Sequence, residues 1–325
     1  MKRCEIDIPV ALIFFNRPDC LKKTFSAIRE ARPSRLFLIQ DGPRENRSND
    51  VVNIQKCREI VDQIDWQCNV TKLYSDHNLG CGQRVFSGIT EAFKDVDRLV
   101  IIEDDIVIGQ SFLRFCCDLL ERYKDDERIA MISGMNHVGE YENCPYDYFF
   151  SSQGGAIWGW ATWKRVWENF DWGLECIEDS YACNCLSKTI RPKSFYKQLI
   201  GTLKSKRSSI LKQEEQTSWS FQFGFPSTFL QHRLNIIPTK NQISNIGFSI
   251  DSAHSSPLHR IPRGLRKVYN GERYSITFPL SHPKYVVDDF YYADLQGKVL
   301  GSGTFRKIYR FFEAHLYKLL PFLGR

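Results

Sequence analysis

Three consecutive carboxylates, Glu103, Asp104 and Asp105, stand directly after the apolar run 99–102. Such a run is typical of a strand that is buried on both faces of a mainly parallel sheet. Neighbouring carboxylates repel one another, and a hard divalent cation held by one or two of them together with substrate phosphates removes that repulsion. The alternative is a loop in which the acids cap a helix that begins near Ser111. This stretch alone leaves both interpretations open.

Polar side chains also follow the other strands that the first half of the chain predicts. They are Asn16 and Arg17 after a strand over 8–15, Asp41 after 35–39 and Asn78 after 70–74. Because the carboxyl ends of parallel strands meet at one edge of a sheet, we expect these side chains and the acids to line one cleft. The chain has no G-x-G-x-x-G after the first strand and no P-loop. Phosphates in this cleft would therefore be held by basic side chains and a metal ion rather than by a glycine-rich loop.

Strands and helices alternate from residue 8 to residue 133. The first helix, for example, has Leu21, Phe25 and Ile28 at helical spacing after the turn that contains Pro18. Short connections between alternating elements indicate right-handed crossovers and an α/β fold. The sequence therefore predicts a mixed, mainly parallel, Rossmann-like sheet flanked by helices.

The composition restricts the class of protein. A chain of 325 residues that is 42% hydrophobic and 25% charged is long and apolar enough for a substantial core. Its net charge of +6 suits anionic ligands, and without a nucleic-acid-binding motif no nucleic acid partner is expected. No run of about 18 apolar residues predicts a membrane span. Eleven cysteines without a signal sequence predict free thiols and a cytoplasmic protein.

Glycines and tryptophans are concentrated at 154–163, where Trp158, Gly159 and Trp160 are consecutive. In one interpretation the indole faces stack on sugar rings, beside glycines that allow close approach of the backbone. In the other, the rings pack in the core as part of a helix that begins near Trp160. Further on, residues 188–216 have little periodicity and are predicted to form a loop or lid over the cleft.

The last segment, 304–325, has apolar residues at helical spacing and basic residues mostly on the opposite side. A basic amphipathic helix of this kind either docks on its own domain or lies on an anionic membrane surface. The second interpretation predicts peripheral contact with the inner face of the cell membrane.

Taken in order, the motifs of the chain resemble those of a known family. They are Phe15-Asn16-Arg17-Pro18, Gln40-Asp41-Gly42, Asn78-Leu79-Gly80, Glu103-Asp104-Asp105, Gly155-Ala156-Ile157-Trp158-Gly159-Trp160 and Ser244-Asn245-Ile246-Gly247-Phe248, with His254 behind. The set resembles the bacterial GT-A-type glycosyltransferases, nucleotide-diphospho-sugar transferases that are distantly similar to the N-acetylglucosaminyltransferase of the N-glycan pathway. The resemblance implies a GT-A-type domain over 1–260, with a nucleotide-sugar-binding half (1–135), an acceptor half (136–260) and a helical C-terminal extension (261–325).

The activity that the resemblance implies is that of a hexosyl- or N-acetylhexosaminyltransferase. Such an enzyme moves a sugar from a nucleotide-diphosphate donor, here a UDP-sugar, to a saccharide or lipid-linked saccharide during cell-surface polysaccharide synthesis (lipopolysaccharide or capsule). The reaction inverts the anomeric carbon. Mn²⁺ or Mg²⁺ stabilises the charge that develops on the leaving diphosphate.

The resemblance also implies a role for each site residue. On the donor side, Arg17, with Asn16 beside it, is expected to contact the diphosphate, Asp41 the base, and Glu103 and Asp104 the sugar and ribose. Asp105 is expected to bind the metal ion, and His254 the metal ion or the diphosphate. Trp158, Gly159 and Trp160 are expected to lie on the acceptor side. Arg84 is added from its position alone, in the helix after Asn78, where it is within reach of a phosphate.

The chain departs from the family at the expected catalytic base. Relatives carry Asp in a Ser-Trp-Asp-aromatic-Gln stretch, whereas this chain has Ser220 at that position. A serine hydroxyl is too weak a base to accept the acceptor's proton, so Glu215 or Glu214 would replace it, with Glu215 the closer in sequence. The alternatives are a catalytically impaired sugar-nucleotide or glycan-binding protein of the same fold, and a sugar nucleotidyltransferase.

Overall fold

The structure, a computed structural model, describes residues 2–191, 193–214, 218–247, 269 and 271–300. Its strands are β1 (Ile6–Phe14), β2 (Pro33–Gln40), β3 (Asn69–Tyr74), β4 (Arg98–Glu103), β5 (Ile106–Ile108), β6 (Ile129–Ser133), β7 (Tyr148–Ser151), β8 (Trp160–Trp163), β9 (Leu234–Pro238) and β10 (Ile243–Asn245). Its helices are α1 (Pro18–Ala31), α2 (Ser48–Val61), α3 (Cys81–Ala92), α4 (Phe112–Arg122), α5 (Lys164–Trp167), α6 (Ser180–Thr189), α7 (Lys193–Leu211), α8 (Ser220–Gly224) and α9 (Phe290–Val299). A 3-10 turn covers Glu175–Glu178, and a π-helical turn covers Phe225–Phe229.

The main sheet has eight strands in the order β3-β2-β1-β4-β8-β6-β9-β7. Strands β3, β2, β1 and β4 are parallel, whereas β8 is antiparallel to both of its neighbours, β4 and β6. The chain builds outward from β1 to β3 and then returns to place β4 on the other side of β1. The strand order therefore reverses between β1 and β4, and the crevice at the carboxyl ends of these two strands is where open α/β sheets bind ligands.

The core explains why these segments form these elements. In β1 and β4 the central residues are almost fully buried, as expected for strands covered on both faces. In α1, Leu21, Phe25 and Ile28 form the buried face, and Pro18 occupies the first turn, where its missing N–H is not needed. The predicted fold class, a mixed and mainly parallel Rossmann-like sheet flanked by helices, is confirmed.

The tryptophan segment is a strand and not the start of a helix. Residues 160–163 form β8, in which Ala161 pairs with Val100 on one side and Ile132 on the other. The interpretation that placed the rings in a helix from about Trp160 is wrong about the helix, because 160–163 is paired on both edges as a central strand. Its placement of Trp160 in the core is confirmed, since that side chain is fully buried. The helix begins only at Lys164.

The basic segment after residue 180 is helical and not a loop. Helices α6 and α7 occupy most of 188–211, so the prediction of a loop or lid over 188–216 is wrong for the described part of that range. Leu199 and Leu203 of α7 pack in a second, smaller core with Leu174 and Leu186. Phe195, Tyr196, Ile200 and Ile210 of α7 pack against the same core, so apolar residues do recur at helical spacing within this basic segment.

Both predicted halves contribute to the same sheet, because β8 lies between β4 and β6. Within the described ranges no helix combines the length and the apolar character that a membrane crossing requires. All eleven cysteines are free thiols. The predicted basic helix over 304–325 lies outside the described residues.

Candidate active site

The acidic motif lies at the point where the strand order reverses. Glu103 ends β4 and pairs with Ile13 of β1, and Asp104 and Asp105 form the turn that leads into β5. Arg17 precedes α1, directly after β1. The two strand ends thus bring the three carboxylates and one guanidinium together at the carboxyl ends of β1 and β4.

Arg17 holds the two aspartates together. It forms an ion pair with Asp104 through Nη2, its Nε lies 3.3 Å from Asp104 Oδ2, and its Nη2 lies 3.0 Å from Asp105 Oδ2. The Asp104 side chain is 4% exposed and that of Asp105 is 14% exposed. The Thr24 hydroxyl donates to the Asp104 carbonyl oxygen over 2.8 Å, which fixes the turn. Asp104 therefore positions Arg17, while Asp105 faces the more open part of the crevice.

One guanidinium does not neutralise three carboxylates. Burial raises the pKa of Glu103 above its ordinary value, and the charges of Asp105 and Asp104 raise it further. Burial also raises the pKa of Asp104, against the effect of Arg17. Burial would lower the pKa of Arg17, but the two aspartates raise it above its usual range. The cluster thus carries an excess of negative charge that a cation would stabilise.

A glycine allows the chain to pass close to Asp105. The carbonyl oxygen of Asp105 accepts a hydrogen bond from Ile246 N over 2.8 Å. A Cβ atom added at Gly247 would overlap Asp105 Oδ2 and lie 2.7 Å from its Cγ. The resemblance placed Gly247 in a family motif without a function, and the structure shows that it borders the acidic turn.

Of the three predicted acceptor-side residues, Trp158 is the half-buried one. Its ring lies 5.1 Å from that of Tyr269, whose pKa is raised by burial and by the charge of Asp105. Gly159 has a φ of +59°, in the left-handed region that favours glycine, and a Cβ there would lie 2.8 Å from Ile243 Cγ2. Trp160 is fully buried. The Trp160 ring packs against Trp167, Trp219 and Phe223 in the core, and in this way it anchors the neighbouring residues Trp158 and Gly159.

Asp41, predicted to contact the base, makes hydrogen bonds to the protein itself. Its Oδ1 accepts from Gly42 N (3.0 Å) and Leu79 N (2.9 Å), and its Oδ2 accepts from Gly80 N (3.0 Å). Burial raises the pKa of Asp41, although these three N–H groups act in the opposite direction. Asp41 therefore joins the turn after β2 to the turn after β3.

Replacing Asp41 by asparagine is expected to lower the free energy of unfolding by about 1–3 kcal/mol, because an amide nitrogen cannot accept the Gly80 N–H. Urea denaturation of the two proteins measures this difference. Asp76→Asn, at an exposed position of the neighbouring turn, is the matched control and should change stability by less than about 0.5 kcal/mol. Equal stability of Asp41→Asn and the parent protein would contradict the assignment.

Asn16 and Arg84 likewise bond to the protein. Asn16 Nδ2 donates to Asp50 Oδ1 over 2.7 Å. The Arg84 guanidinium is buried and donates to the carbonyl oxygens of Gln40 (3.1 Å from Nε) and Leu73. Arg84 therefore fixes the ends of β2 and β3, a structural function that its position in the sequence did not reveal.

The predicted catalytic bases fall at the edge of the described chain. Ser220 opens α8, and Glu214 is exposed, whereas Glu215 and His254 lie outside the described residues. Gln222 is fully buried, and no described residue forms a hydrogen bond with either atom of its side-chain amide. Among the described residues, no group of three or more His, Cys, Asp or Glu side chains has the arrangement that would bind a metal ion without further ligands.

No protein-family model matches the chain, and no curated protein sequence matches it. Among solved structures, S. aureus TarS 1–349 in complex with UDP-GlcNAc is similar at 12% identity over 41% of this chain and 34% of that chain, with a TM-score of 0.29. S. aureus TarS 1–349 alone is similar at 9% identity over 75% and 59%, with a TM-score of 0.38. UDP-glucose pyrophosphorylase complexed with UDP-glucose is similar at 11% identity over 73% and 93%, with a TM-score of 0.36.

The chain spans less than two thirds of the TarS chain in both alignments.

Proposed function

We propose that this protein is a GT-A-type glycosyltransferase that uses a nucleotide-sugar donor, a UDP-sugar, and a divalent cation. The observation that carries the proposal is the acidic turn Glu103-Asp104-Asp105 at the point where the strand order reverses, with Arg17 as its counter-charge. A ligand that brings a cation together with a diphosphate balances the charge of such a cluster, because the cation compensates the carboxylates and the phosphates complete its coordination.

Of the three carboxylates in the acidic turn, we assign the metal-binding role to Asp105. It is the more exposed of the two aspartates that Arg17 contacts, and carboxylate oxygens are the donors that Mn²⁺ and Mg²⁺ prefer. When bound, the cation acts as a Lewis acid on the diphosphate leaving group. Asp104 keeps Arg17 in place beside the phosphates. Glu103, the last residue of β4, would contact a hydroxyl of the sugar or ribose.

Transfer with inversion requires a base for the proton of the acceptor hydroxyl. We assign this function to Glu215, with Glu214 as the alternative, because Ser220 cannot perform it. Trp158 and Gly159 border the acceptor side, with Trp160 behind them. The acceptor is a saccharide or lipid-linked saccharide of a cell-surface polysaccharide, and the protein works in the cytoplasm.

Donor binding tests the proposal. We expect calorimetry with UDP-, GDP-, CMP- and dTDP-sugars to show binding of the UDP class with Mn²⁺, and its loss with a chelator or in Asp105→Asn. Asp294→Asn, the same change at an exposed residue of α9, should bind as the parent protein does. Binding that is unaffected by both the chelator and Asp105→Asn, or no binding of any donor, would overturn the proposal.

Ser220 favours a second candidate, a sugar-nucleotide-binding protein that lacks transferase activity. Both candidates predict donor binding, and they differ in turnover. Release of UDP in the presence of saccharide acceptors, and its loss in Glu215→Gln, would favour the transferase. Tight donor binding without UDP release would favour the binding protein.

A further inference from the structure

One strongly basic stretch of this protein is residues 188–212, whose described part is mostly helical. Residues 188–212 contain eight basic residues and no acidic one, whereas the whole chain carries +6. The rest of the chain is therefore net negative by two. Helix α7 contributes most of this segment, and its apolar side, Leu199 and Leu203, faces the second core.

Three lysines form a line along the exposed side of α7. Lys193, Lys197 and Lys204 are separated by four and seven residues, so they project within about 40° of one another and span roughly 16 Å of the helix. All three are exposed. Leu211 continues the same line and is 67% exposed.

The lysine line differs from the other basic residues of the helix. Lys206 Nζ donates to the Ser218 carbonyl oxygen over 2.7 Å, and Arg207 forms an ion pair with Glu178 at 2.6 Å. Within the described part of the chain, none of the three exposed lysines has an acidic partner at ion-pair distance. Their charge is therefore available to a ligand outside the protein.

We propose that the exposed face of α7 binds an anionic lipid bilayer. A straight row of ammonium groups without intervening acids matches a flat, negatively charged surface, to which each lysine contributes about fivefold in affinity. Leu211 supplies an apolar side chain on this line, and Tyr181, on the neighbouring helix α6, is a second apolar side chain that is 79% exposed. Helix α6 is held against α7 by the hydrogen bond from the Tyr196 hydroxyl to the Cys183 carbonyl oxygen, at 2.5 Å.

This surface goes beyond the proposed function and does not depend on it, because it requires neither donor binding nor turnover. Its residues are also other than those of the predicted membrane contact at 304–325. A protein that works on lipid-linked saccharides would use it to stay near its acceptor.

Vesicle sedimentation of the full chain tests the proposal. We expect binding to vesicles of three parts phosphatidylcholine and one part phosphatidylglycerol, no binding to phosphatidylcholine alone, and loss of binding at high salt. The triple variant Lys193→Gln, Lys197→Gln, Lys204→Gln should partition roughly 100-fold less. The matched control replaces Lys22, Lys56 and Lys240, exposed lysines elsewhere on the surface, by glutamine and should lose far less.

Equal partitioning of the two triple variants would overturn the assignment to α7 and would point to another basic segment such as 304–325. Binding of heparin without binding of the anionic vesicles would overturn the assignment to lipid. Thermal unfolding of both variants should match that of the parent protein, because the lysines concerned are exposed.

Discussion

Replacing Arg17 by methionine is expected to lower the free energy of unfolding by about 3 kcal/mol near neutral pH. Methionine keeps most of the side-chain volume but removes the ion pairs to Asp104 and Asp105. Asp104 is then left almost fully buried without a counter-charge, next to two other carboxylates. Urea denaturation measures the loss, and adding Asp104→Asn to Arg17→Met should recover part of it, because the buried charge is gone.

The loss in free energy of unfolding caused by Arg17→Met should increase with pH. The pKa values of Glu103 and Asp104 are raised in the folded protein, so the folded state binds protons more readily than the unfolded state. Their contribution is favourable below the ordinary carboxyl pKa and is lost as the pH rises through the raised values. Without Arg17 these values rise further, so the variant should lose more stability at about pH 8 than at about pH 5.

Arg128→Met is the matched control for this prediction. Arg128 pairs with Asp126 at 2.7 Å on the surface, where its side chain is 63% exposed. Exposed pairs of this kind contribute less than about 1 kcal/mol. Equal losses in the two variants would show that the acidic turn does not need Arg17. A loss in Arg17→Met that is the same at both pH values would show that the loss does not arise from the ionisation of Glu103 and Asp104.

Replacing Gly247 by alanine is expected to weaken donor binding at least tenfold. The new methyl group would overlap the Asp105 carboxylate, so either the carboxylate turns away from the crevice or the segment at Ile246 moves off the turn. Such overpacking also costs roughly 1–3 kcal/mol of stability. Calorimetry with the UDP-sugar and Mn²⁺ measures the first effect, and urea denaturation measures the second.

Gly201→Ala provides the control for this substitution. An added Cβ at Gly201 meets nothing within 4 Å, and the residue lies in α7. Alanine there should raise stability by up to about 1 kcal/mol, through its higher helix propensity, and leave donor binding unchanged. Equal donor affinity and equal stability of Gly247→Ala and Gly201→Ala would show that the close approach of Gly247 to Asp105 is not required for donor binding.

The first four parallel strands and their helices are predictable because local patterns determine them. A continuous run of apolar residues predicts β4, and apolar residues at helical spacing predict α1; both patterns can be recognised without knowledge of the rest of the chain. Strand β8 has only four residues, and what makes it a strand is its pairing with β4 and β6, far away in sequence. No local pattern contains that information, so the segment read equally well as the start of a helix.

The candidate site likewise has a part that could be predicted from the sequence and a part that could not. The meeting of Arg17 with the acidic turn follows from the rule that ligands bind at the carboxyl ends of parallel strands. Asp41 follows the same rule in position, yet its carboxylate accepts from backbone N–H groups of the turn after β3. Arg84, in α3, donates to backbone carbonyl groups at the ends of β2 and β3. A polar residue at a strand end looks the same in the sequence whether it serves a ligand or a turn, and only the three-dimensional contacts distinguish the two.

The insertion of β8 between β4 and β6 also determines the order in which this sheet can be completed. During synthesis β4 is finished at Glu103, but its partner begins only at Trp160, so a ribosome needs several seconds to supply it. Until then β4 presents an unpaired edge with Val100 and Ile101, which is a template for association with other chains. A fragment that ends before β8 would keep that edge permanently. Chain synthesis therefore leaves the centre of the sheet open until the four residues of β8 are made.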